Sequence, residues 1–134
     1  MARPKRKRII NKPPVMEGFK PFGIPMGKLE PVILLYEEYE SMRLADYMGL
    51  THLEAALKMK VSRATFTRIY QSARQNIAEA FIEGKAIFIE GGTYATDDNW
   101  YRCDSCKELI ISIEESVKCE YCDSNKLRKL NKTI

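Results

Sequence analysis

Four cysteines carry the most specific chemistry in this 134-residue chain. Cys103-Asp-Ser-Cys106 and Cys119-Glu-Tyr-Cys122 form two CxxC pairs with twelve residues between them. Each pair sets two thiolates on one tight turn, so that both sulfurs face a single ion. Two such knuckles complete a tetrahedral shell of four sulfurs, with bonds of about 2.3 Å expected for zinc. A shell with no open position makes a structural site and not a Lewis-acid catalyst, so the expected cofactor is structural Zn2+. Two disulfides would need an oxidising compartment, which nothing in the sequence indicates. Rubredoxin-type iron uses the same ligands, but its Gly and Pro companions are missing and the spacer is short. A thioredoxin-like redox pair would sit in a βαβ context that is absent.

The second constellation is basic. From Ala55 to Ala78 there is no acid, while Lys58, Lys60, Arg63, Arg68 and Arg74 are present. A further bias lies at the N-terminus. Residues 1–28 hold eight basic residues against Glu17 alone, a charge of +7, whereas the remaining 106 residues hold fourteen basic and seventeen acidic ones, a charge of −3. Such asymmetry suits a polyanionic partner.

The elements that must position these groups follow from periodicity and end signals. Leu35, Tyr39, Met42 and Ala45 give a partial apolar stripe for a helix from about Glu37 to Met48, stopped by Gly49. Thr51 and Glu54 form a reciprocal capping box for a short second helix that closes near Met59. Ser62 is a good N-cap for a third, running to about Glu83 before Gly84. On that long helix Phe66, Ile69, Ala73, Ile77 and Phe81 share one stripe, and Ala64, Arg68, Gln71 and Gln75 point the other way. Helices two and three, joined by Met59-Lys60-Val61, make a helix-turn-helix pattern with Leu53, Ala56, Leu57 and Val61 as the expected inter-helix core. Lys60 stands where a glycine is usual, and a left-handed conformation there costs a lysine about 1 kcal/mol.

This pattern suits duplex DNA. Ser62 opens a helix whose first amides could meet a phosphate, and Arg63, Ala64, Thr65, Thr67 and Arg68 fill the two turns where a recognition helix meets base edges. Arginine grips guanine with two hydrogen bonds, and an Ala or Thr methyl touches the thymine methyl. The expected DNA-binding residues are Lys60, Ser62, Arg63, Ala64, Thr65, Thr67, Arg68 and Gln71, joined by Arg3, Lys5, Arg6, Lys7 and Arg8 of the arm. Arms of this kind follow the backbone or enter the minor groove. An ordinary helical hairpin is the competing reading of the same string, and helix-turn-helix modules that read RNA exist.

Other chemistry is thinly represented. His52 is the sole histidine and is expected to be exposed, so no Ser–His–acid set assembles around it. The cysteines are committed to metal, and Gly91-Gly92 reads as a turn after a strand. Glu37-Glu38, Asp97-Asp98 and Glu114-Glu115 read as solvated surface. No enzyme is expected. The longest apolar run, Pro31–Tyr36, is too short to cross a bilayer. The basic N-terminus lacks the apolar stretch of a signal peptide, so a cytoplasmic location is expected. In the ribbon, Trp100, Tyr101 and Tyr121 with Lys126, Arg128, Lys129 and Lys132 could grip nucleic acid. A packed aromatic lid over a solvated tail, or a protein contact, would use the same residues.

Several motifs in order resemble one family. Met-Ala-Arg-Pro-Lys at 1–5, Phe19-Lys20-Pro21 with Gly23-Ile24-Pro25, Arg43-Leu44-Ala45-Asp46, Val61-Ser62-Arg63 with Thr65-Phe66, and Ile89-Glu90-Gly91-Gly92 are similar to the DUF134 or UPF0251 family. These are small prokaryotic proteins credited with DNA binding through a helix-turn-helix like that of sigma factor region 4. The resemblance covers roughly residues 1–92 and implies a transcription-factor-like role. The family's usual Met-Gly-Val-Ser turn reads Met59-Lys60-Val61-Ser62 here.

The expected fold class is mainly α: a helix-turn-helix domain with an extended basic N-terminal arm and a small C-terminal β zinc ribbon. The expected divisions are a Pro/Gly-rich arm over 1–28, the helix-turn-helix domain with a short β stretch over 29–93, and the ribbon over 94–134. The expected function is sequence-specific DNA binding by a transcriptional regulator. The partner would be double-stranded DNA, read by a homodimer because one helix-turn-helix offers little surface. The alternative is an RNA-binding or protein-interaction adaptor.

Overall fold

The structure is a computed structural model and describes residues 8–10, 12–25, 30–92, 94–95, 98–112, 115 and 118–130. The chain divides into two compact units, residues 1–94 and 95–134. Among the described residues, no helix is long and apolar enough to cross a membrane.

The helices of the first unit begin and end where local chemistry dictates. Helix α1, Tyr36–Met42, starts with the Glu38 carboxylate reaching back to the Leu35 amide at 2.8 Å. It does not continue as an α-helix to Met48. Residues Arg43–Tyr47 widen into a π-helical turn, closed by the Met48 amide on the Arg43 carbonyl at 2.8 Å. The extra residue lets Asp46 accept the Tyr70 hydroxyl proton. Helix α2, His52–Met59, carries the reciprocal cap: the Glu54 amide donates to Thr51 Oγ1 at 3.1 Å, and the Thr51 amide to Glu54 Oε1 at 3.0 Å. Helix α3, Arg63–Glu83, is capped by Ser62 Oγ, which accepts from the Thr65 amide at 3.1 Å, and it stops at Gly84 with φ 69°. Its 21 residues span about 31 Å.

The corner between α2 and α3 is tight. Lys60 sits in the left-handed region at φ 54° and ψ 46°, and its amide closes the end of α2. That conformation strains a residue with a Cβ by about 1–2 kcal/mol. Lys60→Gly should therefore stabilise the protein by about 0.5–1 kcal/mol, after the extra freedom of glycine in the unfolded chain is set against the relief. The urea midpoint measures this. No increase would mean that the lysine side chain supplies a compensating contact.

Leu44, Ala55, Ala56, Met59, Phe66 and Tyr70 form the core between these helices, with Val61 and Leu50 packed at its margin. Two expected core residues are outside it, because Leu53 is 56% and Leu57 68% exposed. The sequence of α2 contains two apolar i,i+4 pairs on different faces, Leu53–Leu57 and Ala55–Met59, and an eight-residue helix offers no further turn to decide between them. The fold buries the smaller pair, which lets α2 approach α3 closely. Along α3 the buried line runs through Phe66, Ile69, Tyr70, Ala73 and Ala80. Phe81, expected in the stripe, is 82% exposed because the 3.6-residue drift brings Ala80 inward instead.

The mainly-α fold class is not what the structure has. Eight strands accompany the three α-helices among the described residues, and the first unit contains a sheet of its own. Strand β1 is Arg8–Ile9, β2 is Gly18–Phe19, β3 is Val32–Leu34, β4 is Ile87–Ile89 and β5 is Tyr94–Ala95. Strands β2, β4 and β3 form one sheet in that order, and β1 pairs with β5. β3 runs parallel to β4, with Val32 opposite Ile87 and Leu34 opposite Ile89. β2 lies antiparallel on the other side, with Gly18 opposite Phe88. Sequence periodicity could not show this because two- and three-residue strands have no period to read. Val32, Leu34 and Ile89 turn one face of the sheet inward, while Ile33 and Phe88 face outward. Gly18 is required, since a Cβ there would lie 2.0 Å from the Ile87 carbonyl oxygen.

The second unit is strand-rich, as expected of a ribbon. Strands β6 (Asn99–Cys103), β7 (Leu109–Ser112) and β8 (Leu127–Lys129) form an antiparallel sheet with β6 in the centre. Tyr101, Cys103, Ile110 and Cys119 make its core, with Leu127 against them.

Candidate metal centre and nucleic-acid interface

The two CxxC turns are built alike. In the first, the Cys103 carbonyl accepts from the Lys107 amide at 2.9 Å; in the second, the Cys119 carbonyl accepts from the Asp123 amide at 2.9 Å. Lys107 and Asp123 follow the second cysteine of each pair directly and both take positive φ, 68° and 59°. The amides just beyond them, of Glu108 and Ser124, point at the Cys106 and Cys122 sulfurs. The Cys106 amide donates to Cys103 Sγ, and the Tyr121 amide to Cys119 Sγ, each at 3.4 Å.

The four sulfurs converge within 4.8 Å of one another. Cys103 Sγ lies 3.6 Å from Cys122 Sγ, and Cys106 Sγ 3.6 Å from Cys119 Sγ, far beyond a disulfide bond and all four thiols are free. Tetrahedral metal–sulfur bonds of about 2.3 Å put sulfurs about 3.8 Å apart, so the spacing matches a shared ion. Without a cation, four thiolates this close cannot ionise together. The Cys106 amide holds the Cys103 thiol down to about 6, with burial opposing it. The Glu108 amide pulls Cys106 down, yet burial and the neighbouring thiols together push it up to about 12. Crowding thus opposes ionisation of Cys106, and a divalent ion is what lets all four release their protons. The cysteines thus form a potential metal-binding site, made from two turns of the second unit.

Around it, Trp100 and Tyr101 are buried, 1% and 5% exposed, so their rings are packed and not offered to a ligand. Tyr121 is 63% exposed. Arg128 pairs with Asp104 at 3.3 Å, and Lys132 lies outside the described residues.

In the first unit, Lys60, Ser62, Arg63, Ala64, Arg68 and Gln71 are all exposed around the α2–α3 corner and along the outer face of α3. Ser62 also donates its hydroxyl to Thr65 Oγ1 at 2.9 Å, so the cap closes on its own helix. Thr67 is turned partly inward, its Oγ1 3.0 Å from His52 Nδ1. His52 is not the exposed side chain expected. It packs edge-on against Phe66 and Tyr70, with ring centroids 5.3 and 5.2 Å away. Arg74 lies over the Tyr70 ring at 5.4 Å.

Arg8 departs most from expectation. It is 8% exposed, and its Nε lies 3.3 Å from Glu37 Oε2. Arg3, Lys5, Arg6 and Lys7 lie outside the described residues. Glu37 and Glu38, read from sequence as solvated, are 5% and 3% exposed. Glu38 accepts from Ser72 Oγ at 2.5 Å and from Asn76 Nδ2 at 3.1 Å, which binds α1 to α3. The signal available was the cluster itself: an acid pair directly after an apolar strand, facing a helix whose neutral Ser72 and Asn76 lie one turn apart.

The family described as "Protein of unknown function DUF134" matches residues 1–97. A UPF0251 protein of Chloroherpeton thalassium is 42% identical over 132 residues, covering 97% of this chain and 87% of its own length. One from Methanococcus vannielii is 40% identical over 131 residues, covering 98% and 93%. One from Thermoanaerobacter pseudethanolicus is 50% identical over 98 residues, covering 73% and 83%. No solved structure matches. The two longer matches run through the cysteine region as well as the helices. The chain belongs to the DUF134 family, alongside the UPF0251 proteins.

Proposed function

We propose that the protein is a sequence-specific DNA-binding transcriptional regulator that acts by binding and not by catalysis. The observation that carries this reading is the outer face at the start of α3. Arg63, Ala64, Arg68 and Gln71 stand exposed there after a tight corner, with no carboxylate on the helix before Glu79. Base edges of a major groove are read by such a set: Arg63 and Arg68 to guanine, the Ala64 methyl to thymine, Gln71 to adenine. Lys60 and the Ser62 turn supply phosphate contacts. Thr67, held by His52, serves the corner more than the ligand. Arg8 anchors the arm, and Arg3, Lys5, Arg6 and Lys7 supply backbone affinity.

In the same reading, the four cysteines hold structural Zn2+, the active species is a cytoplasmic homodimer, and each protomer reads one half-site. Light scattering on the purified protein measures that assembly directly.

Selection from random duplexes, followed by sequencing, tests the function. A recovered motif is expected. Arg68→Ala should then weaken binding to it by about 1–3 kcal/mol and relax the preference at one base pair. Equal loss on every sequence would make Arg68 a phosphate contact. Deleting residues 1–7 should flatten the salt dependence with little loss of selectivity. Preferential binding of single- or double-stranded RNA in the same assay would favour the adaptor reading instead.

A further inference from the structure

The C-terminal half of α3 leaves large apolar side chains in water. Phe81 and Ile82 are 82% and 78% exposed, and Ala78, one turn earlier, is exposed beside them. Ile24 extends the patch, its Cδ1 3.2 Å from where a Cβ on Gly84 would stand, and Phe22, two residues before it, is 98% exposed. Single exposed apolar side chains are ordinary, but a contiguous patch marks an interaction surface. Phenylalanines this open carry about 150–250 Å2 each. With Ile82 and Ile24 the patch offers about 500 Å2, so a pair of copies would bury about 1,000 Å2 together, the lower bound of a specific interface.

The patch is shaped for a second copy of α3. Arg74, Gln75, Ala78, Phe81 and Ile82 lie along one stripe at helical spacing, and Ala78 is the small side chain on it. Two helices approach most closely at such a residue. An antiparallel crossing at Ala78 sets Phe81 of one copy against Gln75 of the other and Ile82 against the aliphatic stem of Arg74, so no two like charges meet. Glu79 and Glu83 lie to the other side of α3, where Lys85 of the same chain pairs with them at 3.2 and 3.5 Å. The stripe is about a quarter-turn round the helix from Arg68, so a partner seated on it leaves that side chain in the open. Length agrees as well. The middle of Arg63–Gln71 is about 11 residues from Ala78, or about 17 Å. Two copies crossing there hold those middles about 34 Å apart, once an interaxial separation of about 8–10 Å is included. Half-sites of a helix-turn-helix dimer are about 34–36 Å apart.

We propose that two copies of this chain pair through the C-terminal half of α3, antiparallel about Ala78 and anchored by Phe81 and Ile82, and that this pairing sets two reading faces one DNA turn apart. The pairing rests on the patch alone, and the DNA spacing rests on the DNA-binding reading. A two-fold axis at Ala78 runs the two helices in opposite directions, so the sequence they select must be an inverted repeat.

Sedimentation equilibrium of the full-length protein without DNA, over about 1–100 µM, tests the pairing. A species of twice the 15.5 kDa chain is expected. Phe81→Glu and Ala78→Arg should each weaken it tenfold or more with the helical signal unchanged, because both positions are exposed in the single chain. Leu57→Arg, at an exposed apolar residue of α2, should leave it unchanged. A monomer throughout the range, a dimer that Phe81→Glu and Ala78→Arg leave intact, or a loss in the Leu57 variant equal to theirs would overturn the surface. A monomer that Phe81→Glu destabilises would overturn it too, by giving the patch to another part of the same chain. Selection from random duplexes tests the spacing. An inverted repeat with half-site centres about 10 base pairs apart is expected, and a dimer that selects a direct repeat or a single site would overturn the antiparallel arrangement. If no duplex is selected, the DNA-binding reading falls while the dimer and its variants stand.

Discussion

Removing the proposed structural metal from the purified protein is expected to unfold the second unit and leave the α2–α3 core intact. Two of the four buried residues that make the second unit's core are the candidate ligands Cys103 and Cys119, both 0% exposed. Without an ion the four cysteines are crowded thiols, and little apolar area remains to offset the chain entropy. Structural zinc contributes apparent values of about 10–16 kcal/mol at neutral pH in small metal-folded peptides, which exceeds what a unit of this size holds by burial. Trp100 is the sole tryptophan and is 1% exposed, so its fluorescence reports this unit alone. Chelation, or Cys119→Ala, should shift its emission to the red, while the first unit keeps its helical signal. Acid should act in the same direction, because protons compete with the metal for thiolate. Unchanged emission after verified loss of the metal would show that the ribbon folds without it.

The second large effect is expected in the other unit. Phe66→Ala should cost about 3–5 kcal/mol, the usual range for deleting an aromatic ring from a closed core. Phe66 is 0% exposed and stacks on Tyr70 at 5.9 Å with an interplanar angle of 11°, while His52 packs against both rings. Ala55 and Ala56 of the same cluster are too small to refill the space. A lower urea midpoint at unchanged slope is the expected readout. A loss below about 1 kcal/mol would mean that α2 collapses onto the gap, which would also move Lys60 and the start of α3. Because a typical domain holds only about 5–15 kcal/mol in total, the proposed DNA binding should fail in this variant with its fold and not before it.

What the residues declared in advance was local. The caps at Thr51 and Ser62, the stop at Gly84 and the cysteine spacing each depend on atoms a few residues apart, and each is present. The left-handed corner at Lys60 was visible as a cost before it was visible as an angle. Groups whose meaning depends on distant partners were misread. Glu37 and Glu38 look solvated until Arg8 and Ser72, from 29 and 34 residues away, come against them. Leu53 and Leu57 look buried until the corner fixes which face of α2 turns inward. The sheet was hidden for the same reason, being assembled from pieces too short to announce themselves.

That sheet also imposes an order of events. The contacts between α2 and α3 close over a few residues, whereas Gly18 meets Phe88 and Val32 meets Ile87 only after most of the unit has been spanned. Long-range pairing of this kind is slow relative to helix docking. At synthesis rates of about 5–20 residues per second, the two flanking strands wait several seconds on the ribosome for the central one between them. During that interval the backbones of Val32–Leu34 and Gly18–Phe19 lack their partner, and a chain interrupted before Ile87 would carry both strands unpaired.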